Sequence, residues 1–367
     1  MKRLFLIFAL LFFPLVGTPN AFANEVSITI TEPTHRQMNG VFINDDLVTK
    51  LSYDGRLGQL VFNPARGIRT WFIDPQLIEE VLQMTTEYKL VDGENGLGVD
   101  VATSWLNQLQ AITRGDKITA LPYGDPSGYW LSKLAPDKKA FYLALGAQRL
   151  TAYFGSQISQ MANFPDNMNY RLGQSTLKAF KKSQSALQEY SNYMTVEQVN
   201  KFQAHSAAIL HPALKKNFRA QLKSDLVTNT DLLSNKIRLA PGRFTVTSTK
   251  QKLPITLIND FPKPVTVLVK IEAMNGRVWV GSVPEQTVNG KSKVQVMIPV
   301  EVITSGDSSL SVSLLSVKSR AFGPTVWYPL NLKVISPIAT WVTTGGAIIL
   351  FLSALIQSFR RIKRKRV

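Results

Sequence analysis

Two acidic residues carry the most promising chemistry in this 367-residue chain. Asp74 closes the apolar run Arg69-Thr70-Trp71-Phe72-Ile73, and Asp125 follows the run Lys117-Ile118-Thr119-Ala120-Leu121. Trp71, Tyr123 and Tyr129 stand close to them in sequence. A pair of carboxylates beside aromatic platforms is what carbohydrate chemistry requires. One acid can protonate the leaving oxygen while the other assists attack. The competing reading is structural. Asn63-Pro64, Asp74-Pro75 and Asp125-Pro126 repeat one arrangement, an Asx residue capping a helix whose first position is proline.

Other catalytic signatures are missing. No zinc-binding histidine motif and no Gly-x-Ser-x-Gly elbow occurs. The stretch Gly93-Glu94-Asn95-Gly96-Leu97-Gly98 follows no convincing strand and lacks phosphate-binding spacing. His205 and His211 are six residues apart and fall on different helix faces, which argues against metal ligation. His35, in a Pro-Thr-His-Arg loop, is the remaining imidazole. The expectation is no cofactor and no metal. With no cysteine, the chain can form neither a disulfide nor a thiolate metal site.

The elements that must position the two acids read as an α/β layer over residues 24–136. Residues 26–30 alternate as a strand, and 69–73 and 117–121 are short buried strands. Leu77, Ile78, Val81 and Leu82 share a helical face, and residues 101–112 are helical again. Crossovers of this length imply parallel strands, with ligands expected beyond their carboxyl ends.

Residues 137–235 have a helical texture. Leu177, Phe180, Leu187 and Tyr190 keep helical spacing, as do Leu214, Phe218, Leu222 and Leu226, and Thr195-Val196-Glu197-Gln198 fits a capping box. Lys181, Lys182, Lys215, Lys216 and Arg219 read as solvated faces. From 236 to 336 the apolar residues recur every second position in run after run, for example Leu253, Ile255 and Leu257, then Leu310, Val312 and Leu314. That pattern, with Asn275-Gly276 and Asn289-Gly290 suited to hairpin turns of positive φ, reads as an immunoglobulin-like β-sandwich.

Both ends are apolar. Residues 1–23 carry Lys2 and Arg3, an apolar run over 4–16 and the small-x-small site Ala21-Phe22-Ala23, which reads as a secretory signal peptide. Residues 338–359 contain no charge, and Arg360, Arg361, Lys363, Arg364, Lys365 and Arg366 follow at once in 360–367. A transmembrane helix is expected there, anchored by Trp341 and those six cations, with a basic cytoplasmic tail. The expected protein is therefore single-pass type I, its bulk extracellular and its first partner the lipid bilayer. The net charge of +17 falls to +9 once the +2 of the leader and the +6 of the tail are removed. That distribution argues against nucleic acid as a partner. Roughly 310 exported residues are enough for two or three domains. The overall expectation is a multidomain chain: an α/β part, a helical region, an all-β sandwich and one C-terminal transmembrane helix.

Residues 40–46 (Gly-Val-Phe-Ile-Asn-Asp-Asp), Gly55-Arg56-Leu57, residues 71–75 (Trp-Phe-Ile-Asp-Pro) and 121–126 (Leu-Pro-Tyr-Gly-Asp-Pro) occur in this order. Residues 253–259 (Leu-Pro-Ile-Thr-Leu-Ile-Asn) then open the sandwich. This set resembles an actinobacterial family of secreted, membrane-anchored proteins with no assigned function. The resemblance implies a barrel-like, glycosidase- or deacetylase-like α/β part, truncated here, and a role in wall building. Two readings follow. One is a non-catalytic envelope ectodomain that binds wall glycan or a membrane protein of wall synthesis. The other is a glycan-active hydrolase or deacetylase using Asp74 and Asp125.

Overall fold

The computed structural model describes residues 25–165, 171–317, 319–334 and 337–364. The chain forms two compact units; 1–35, 41–125 and 137–165 make the first, and 36–40, 126–136 and 166–367 the second. The residues expected to form a signal peptide lie outside the described residues.

In the first unit, β1 (Glu25–Ile30) leads through α1 (Asp46–Leu51) and α2 (Arg56–Phe62) to β2 (Ile68–Ile73). Next come α3 (Pro75–Met84), α4 (Val99–Ile112) and β3 (Lys117–Ala120). The chain leaves for α5 (Gly128–Leu134), which belongs to the second unit, and returns as α6 (Lys139–Phe154) and β4 (Ser159–Gln160). The four strands are parallel and lie in sequence order, β1-β2-β3-β4. The helices supply the other layer because their apolar residues recur at helical spacing. Leu77, Ile78, Val81 and Met84 of α3 and Ala102, Trp105, Leu106 and Leu109 of α4 are buried with Ile30, Trp71 and Ile73 of the sheet. Trp105 donates its Nε1–H to the Leu57 carbonyl at 3.0 Å, so its one polar atom is satisfied in the core.

In the second unit, α7 (Gln174–Tyr190), α8 (Val196–Ala207) and α9 (Lys216–Ser234) precede a two-sheet sandwich. The capping box forms as the sequence implies: Thr195 Oγ1 accepts from the Gln198 amide and Gln198 Oε1 from the Thr195 amide. The sandwich strands are β5 (Ile237–Leu239), β6 (Phe244–Val246), β7 (Lys250–Asn259), β8 (Val265–Ala273), β9 (Val278–Val280), β10 (Gln286–Val288), β11 (Ser292–Val302), β12 (Gly306–Ser316) and β13 (Ala321–Leu332). One sheet runs β10-β8-β12-β13-β6 and the other β5-β7-β11-β9. Leu253, Ile255, Leu257, Leu310, Val312 and Leu314 are all buried, as their alternation requires. Buried Asn259 is fully satisfied: Nδ2 reaches the carbonyls of Lys263, Val288 and Asn289, and Oδ1 accepts from the Phe261 amide. The helices pack directly on the sandwich. Tyr190 at the end of α7 stacks on Phe261 and Phe322, with ring centroids 5.6 and 5.3 Å away.

The turn expectation needs correction. Neither Gly276 nor Gly290 has positive φ; Lys291 does, at 55°. Gly290 is glycine for another reason, since a Cβ there would meet the Pro262 carbonyl oxygen at 2.1 Å.

The transmembrane expectation is also corrected. The C-terminal segment is helical, α10 (Pro337–Arg364), but among the described residues no helix is long and apolar enough to cross a membrane. Polar and small residues interrupt its apolar stretch. Thr343, Thr344, Gly345 and Gly346 precede the unbroken apolar run 347–352, and Ser353, Gln357 and Ser358 follow it. Spanning a bilayer takes about 20 predominantly apolar residues. The side chains of Trp341, Arg360, Arg361, Lys363 and Arg364, and the whole of Lys365 and Arg366, lie outside what is described.

Candidate functional site

At the carboxyl ends of β1, β2 and β3 the backbone passes from strand to loop in register. Ile30 is level with Ile73, and Ile73 with Ala120. The amide of Asp74 donates to Ile30 O and the amide of Leu121 to Ile73 O, each at 2.9 Å. This brings Thr31, Asp74 and Asp125 together, although up to 94 residues separate them in sequence.

Asp74 is fully buried. Its Oδ1 accepts from the amide of Gln76 at 3.0 Å, capping α3, and from the amide of Gly124 at 2.9 Å. Its Oδ2 has no hydrogen-bond partner. Burial, and then the charge of Asp125, push its carboxyl well above the usual carboxylate range, against the pull of the two amides. Asp125 is also buried, and Thr31 Oγ1 donates to its Oδ2 at 3.1 Å while Oδ1 is unpartnered. Burial raises its carboxyl to about 6. Its φ of 38° is left-handed, a conformation aspartate tolerates better than most residues. The Asp125 amide donates to the Pro122 carbonyl at 2.8 Å and holds the turn.

The proposed repetition of Asx caps resolves into three different uses. Asp74 is such a cap. Asn63 instead ends α2, and Asp125 stands ahead of the true cap of α5, Ser127, which accepts from the Trp130 amide. The local explanation therefore accounts for Asp74 and leaves Asp125 to its contact with Thr31.

The aromatic candidates are engaged by other groups. Trp71 is fully buried, with Nε1–H donated to Asp116 Oδ2 at 2.8 Å. Tyr123 is buried and its hydroxyl donates to Glu79 Oε2 at 2.5 Å. Tyr129 belongs to the second unit, where its hydroxyl accepts from Lys133 Nζ at 2.6 Å and its ring lies under that ammonium.

Of the residues after β1, sequence reasoning named His35 and missed Thr31 and Glu32. Glu32 receives Lys50 Nζ at 2.5 Å and Arg56 Nη2 at 2.6 Å. Burial drives its carboxyl up, but hydrogen bonds from His35, Lys50 and Arg56 overcome this and hold it at about 2. His35 Nδ1 lies 3.0 Å from Asn44 Oδ1, and Lys50 Nζ lies 3.1 Å from His35 Nε2. Glu80, also buried, accepts from Thr34 Oγ1 and from the His35 amide. The rule that pointed to the ends of β2 and β3 applies equally to β1 and would have found Thr31 and Glu32. Glu80 is buried on α3 and gives no such signal. In the second unit, His205 Nε2 lies 2.7 Å from Asp225 Oδ2, whereas His211 Nδ1 accepts from the Ala213 amide.

Chemically, Asp74 and Asp125 are two buried acids, each of whose carboxyls holds its proton more tightly than usual. Three solved structures are similar over about a quarter of the chain. WR4, an MSP family member of C. elegans, has 14% identity and a TM-score of 0.22, over 27% of this chain and 98% of that one. A PapD-like domain of human CEP192 has 14% identity and a TM-score of 0.23, over 28% and 87%. Native alpha-2-macroglobulin from Escherichia coli has 17% identity and a TM-score of 0.22, over 26% and 16%. No curated protein sequence matches. The model of one family, described as a family of unknown function, matches residues 146–366, more than half of the chain. The chain belongs to that family, DUF6049.

Proposed function

We propose that this is an exported, non-catalytic binding protein of the cell envelope, with wall glycan or a membrane protein of wall synthesis as its partner. The observation that carries the non-catalytic part is the placement of Asp74. Its one partnered oxygen serves two backbone amides, and the residue is fully buried. A carboxylate that attacks or protonates a sugar must reach it. Export rests on Lys2, Arg3, the apolar run and Ala21-Phe22-Ala23. The test is co-sedimentation of the purified chain with insoluble wall glycan, beside Asp74→Asn and Asp125→Asn variants. The reading expects the glycan to retain all three proteins and no new reducing ends or free acetate to appear. Absence of retention would end the glycan reading.

A second reading, a glycan hydrolase or deacetylase, is favoured by Asp125 alone. Its left-handed backbone, unpartnered Oδ1 and raised carboxyl are features common at active sites. Release of sugar or acetate by the wild type, abolished by Asp125→Asn at unchanged melting temperature, would establish it.

A further inference from the structure

The opposite, amino-terminal end of the parallel sheet holds a cavity of about 600 Å³, a volume suited to a small ligand. Two loops shape it. The first, between α4 and β3, turns at Gly115 with φ of 87°, and the second, after α6, turns at Gly155 with φ of 69°. No atom lies within 4 Å of where a Cβ would sit on either glycine, so both turns leave open space beside them.

The lining is polar and cationic. Gln157 and Ser159 offer an amide and a hydroxyl, Gln110 an amide that also bonds the Tyr153 hydroxyl, and Phe154 a ring. Asp116, the acid in the lining, is already engaged: Arg69 Nε and Trp71 Nε1 both donate to its Oδ2 at 2.8 Å. Arg114 and Lys117 also line the cavity, and among the described residues no acid is paired with either. A cavity with planar amides, hydroxyls and one aromatic face suits a polyhydroxylated ligand. Two cations with no acid to neutralise them suit a negative group on that ligand, since guanidinium binds carboxylate or phosphate in a two-pronged fashion.

We infer that this cavity binds an anionic saccharide, its hydroxyls held by Gln110, Gln157 and Ser159 and its acidic group by Arg114 and Lys117. The inference rests on the glycan-binding reading above and names the part of the molecule that performs it. It is independent of Asp74 and Asp125, which lie at the other end of the strands.

The experiment uses the full chain, with tetragalacturonic acid as the anionic probe and chitotetraose as the neutral one, in titration calorimetry. Binding of the anionic probe is expected, weakening as salt rises. The double variant R114Q/K117Q should lose affinity on the order of tenfold or more, as when charge-assisted hydrogen bonds are removed. Both side chains are exposed, and an unchanged melting temperature confirms that the variant folds. Equal binding by wild type and variant, equal binding of the neutral probe, or no binding of tetragalacturonic acid each overturns the inference. Retention of the wild type on insoluble wall glycan separates the two ideas. If it persists while the cavity test fails, glycan binding stands and this site falls; if it too is absent, both fall.

Discussion

Asp74 Oδ1 accepts the amide hydrogen of Gly124 at 2.9 Å, so one carboxylate both starts α3 and fastens the turn after β3. The two roles predict an asymmetric pair of substitutions. Asp74→Asn keeps an oxygen in place and caps about as well. Asp74→Ala removes the cap and strands a buried amide, which together should destabilise by about 2–4 kcal/mol. Urea unfolding of both variants at neutral pH checks this.

Asp125 makes stability depend on pH with an unusual sign. Its folded carboxyl titrates at about 6 against an ordinary 3.8, so the folded state binds the proton more tightly. Its contribution is most favourable below pH 3.8 and is lost as pH rises to about 6. A shift of that size corresponds to about 3 kcal/mol at most. Asp125→Asn should flatten this part of the stability–pH curve and be more stable than wild type at pH 7. A wild-type curve that rises between pH 4 and 6 and an unstable Asn variant would contradict it.

Glu32 acts in the opposite direction. Its folded carboxyl lies at about 2 against 4.5, so its stabilisation is present above pH 4.5 and is lost as pH falls toward 2. Lys50 and Arg56 are partly exposed, which screens the pairs. Glu32→Gln should therefore lose only about 1–2 kcal/mol at pH 7, and less at pH 2.5. Thermal melts of both proteins across that range give the comparison.

Tyr190 is buried between Phe261 and Phe322, joining α7 to the sandwich. Truncating a buried aromatic of this size typically removes about 3–5 kcal/mol. Tyr190→Ala should show that loss. Tyr190→Phe, which keeps the ring stack and drops the hydroxyl, should lose about 1 kcal/mol. Near-equal losses for the two variants would mean the stack contributes little.

Legibility followed the range of the signal. The strands at 69–73 and 117–121 were readable because buried parallel strands are short apolar runs, and the strand at 26–30 and the sandwich were readable because their faces alternate. Asp74 and Asp125 could be placed at strand ends, but not assigned their different partners. The Gly124 amide comes from the loop after β3 and the Thr31 hydroxyl from the loop after β1. Trp71 looked like a platform because sequence proximity to Asp74 does not say which side of β2 it occupies. Its Nε1 meets Asp116, whose position depends on the α4–β3 turn. The C-terminal run looked long enough to span a membrane when charge alone was counted. The threonines and glycines at 343–346 are uncharged but not apolar.

A parallel sheet whose strands follow chain order grows like masonry, each course laid on the last without disturbing those beneath. β4, two residues long and exposed, is the outermost course here. Extra strand–helix units inserted after Gln160 would find its free edge ready to pair and would leave Thr31, Asp74 and Asp125 untouched. Such a fold can change in size at one margin while the corner that holds the two acids keeps its geometry.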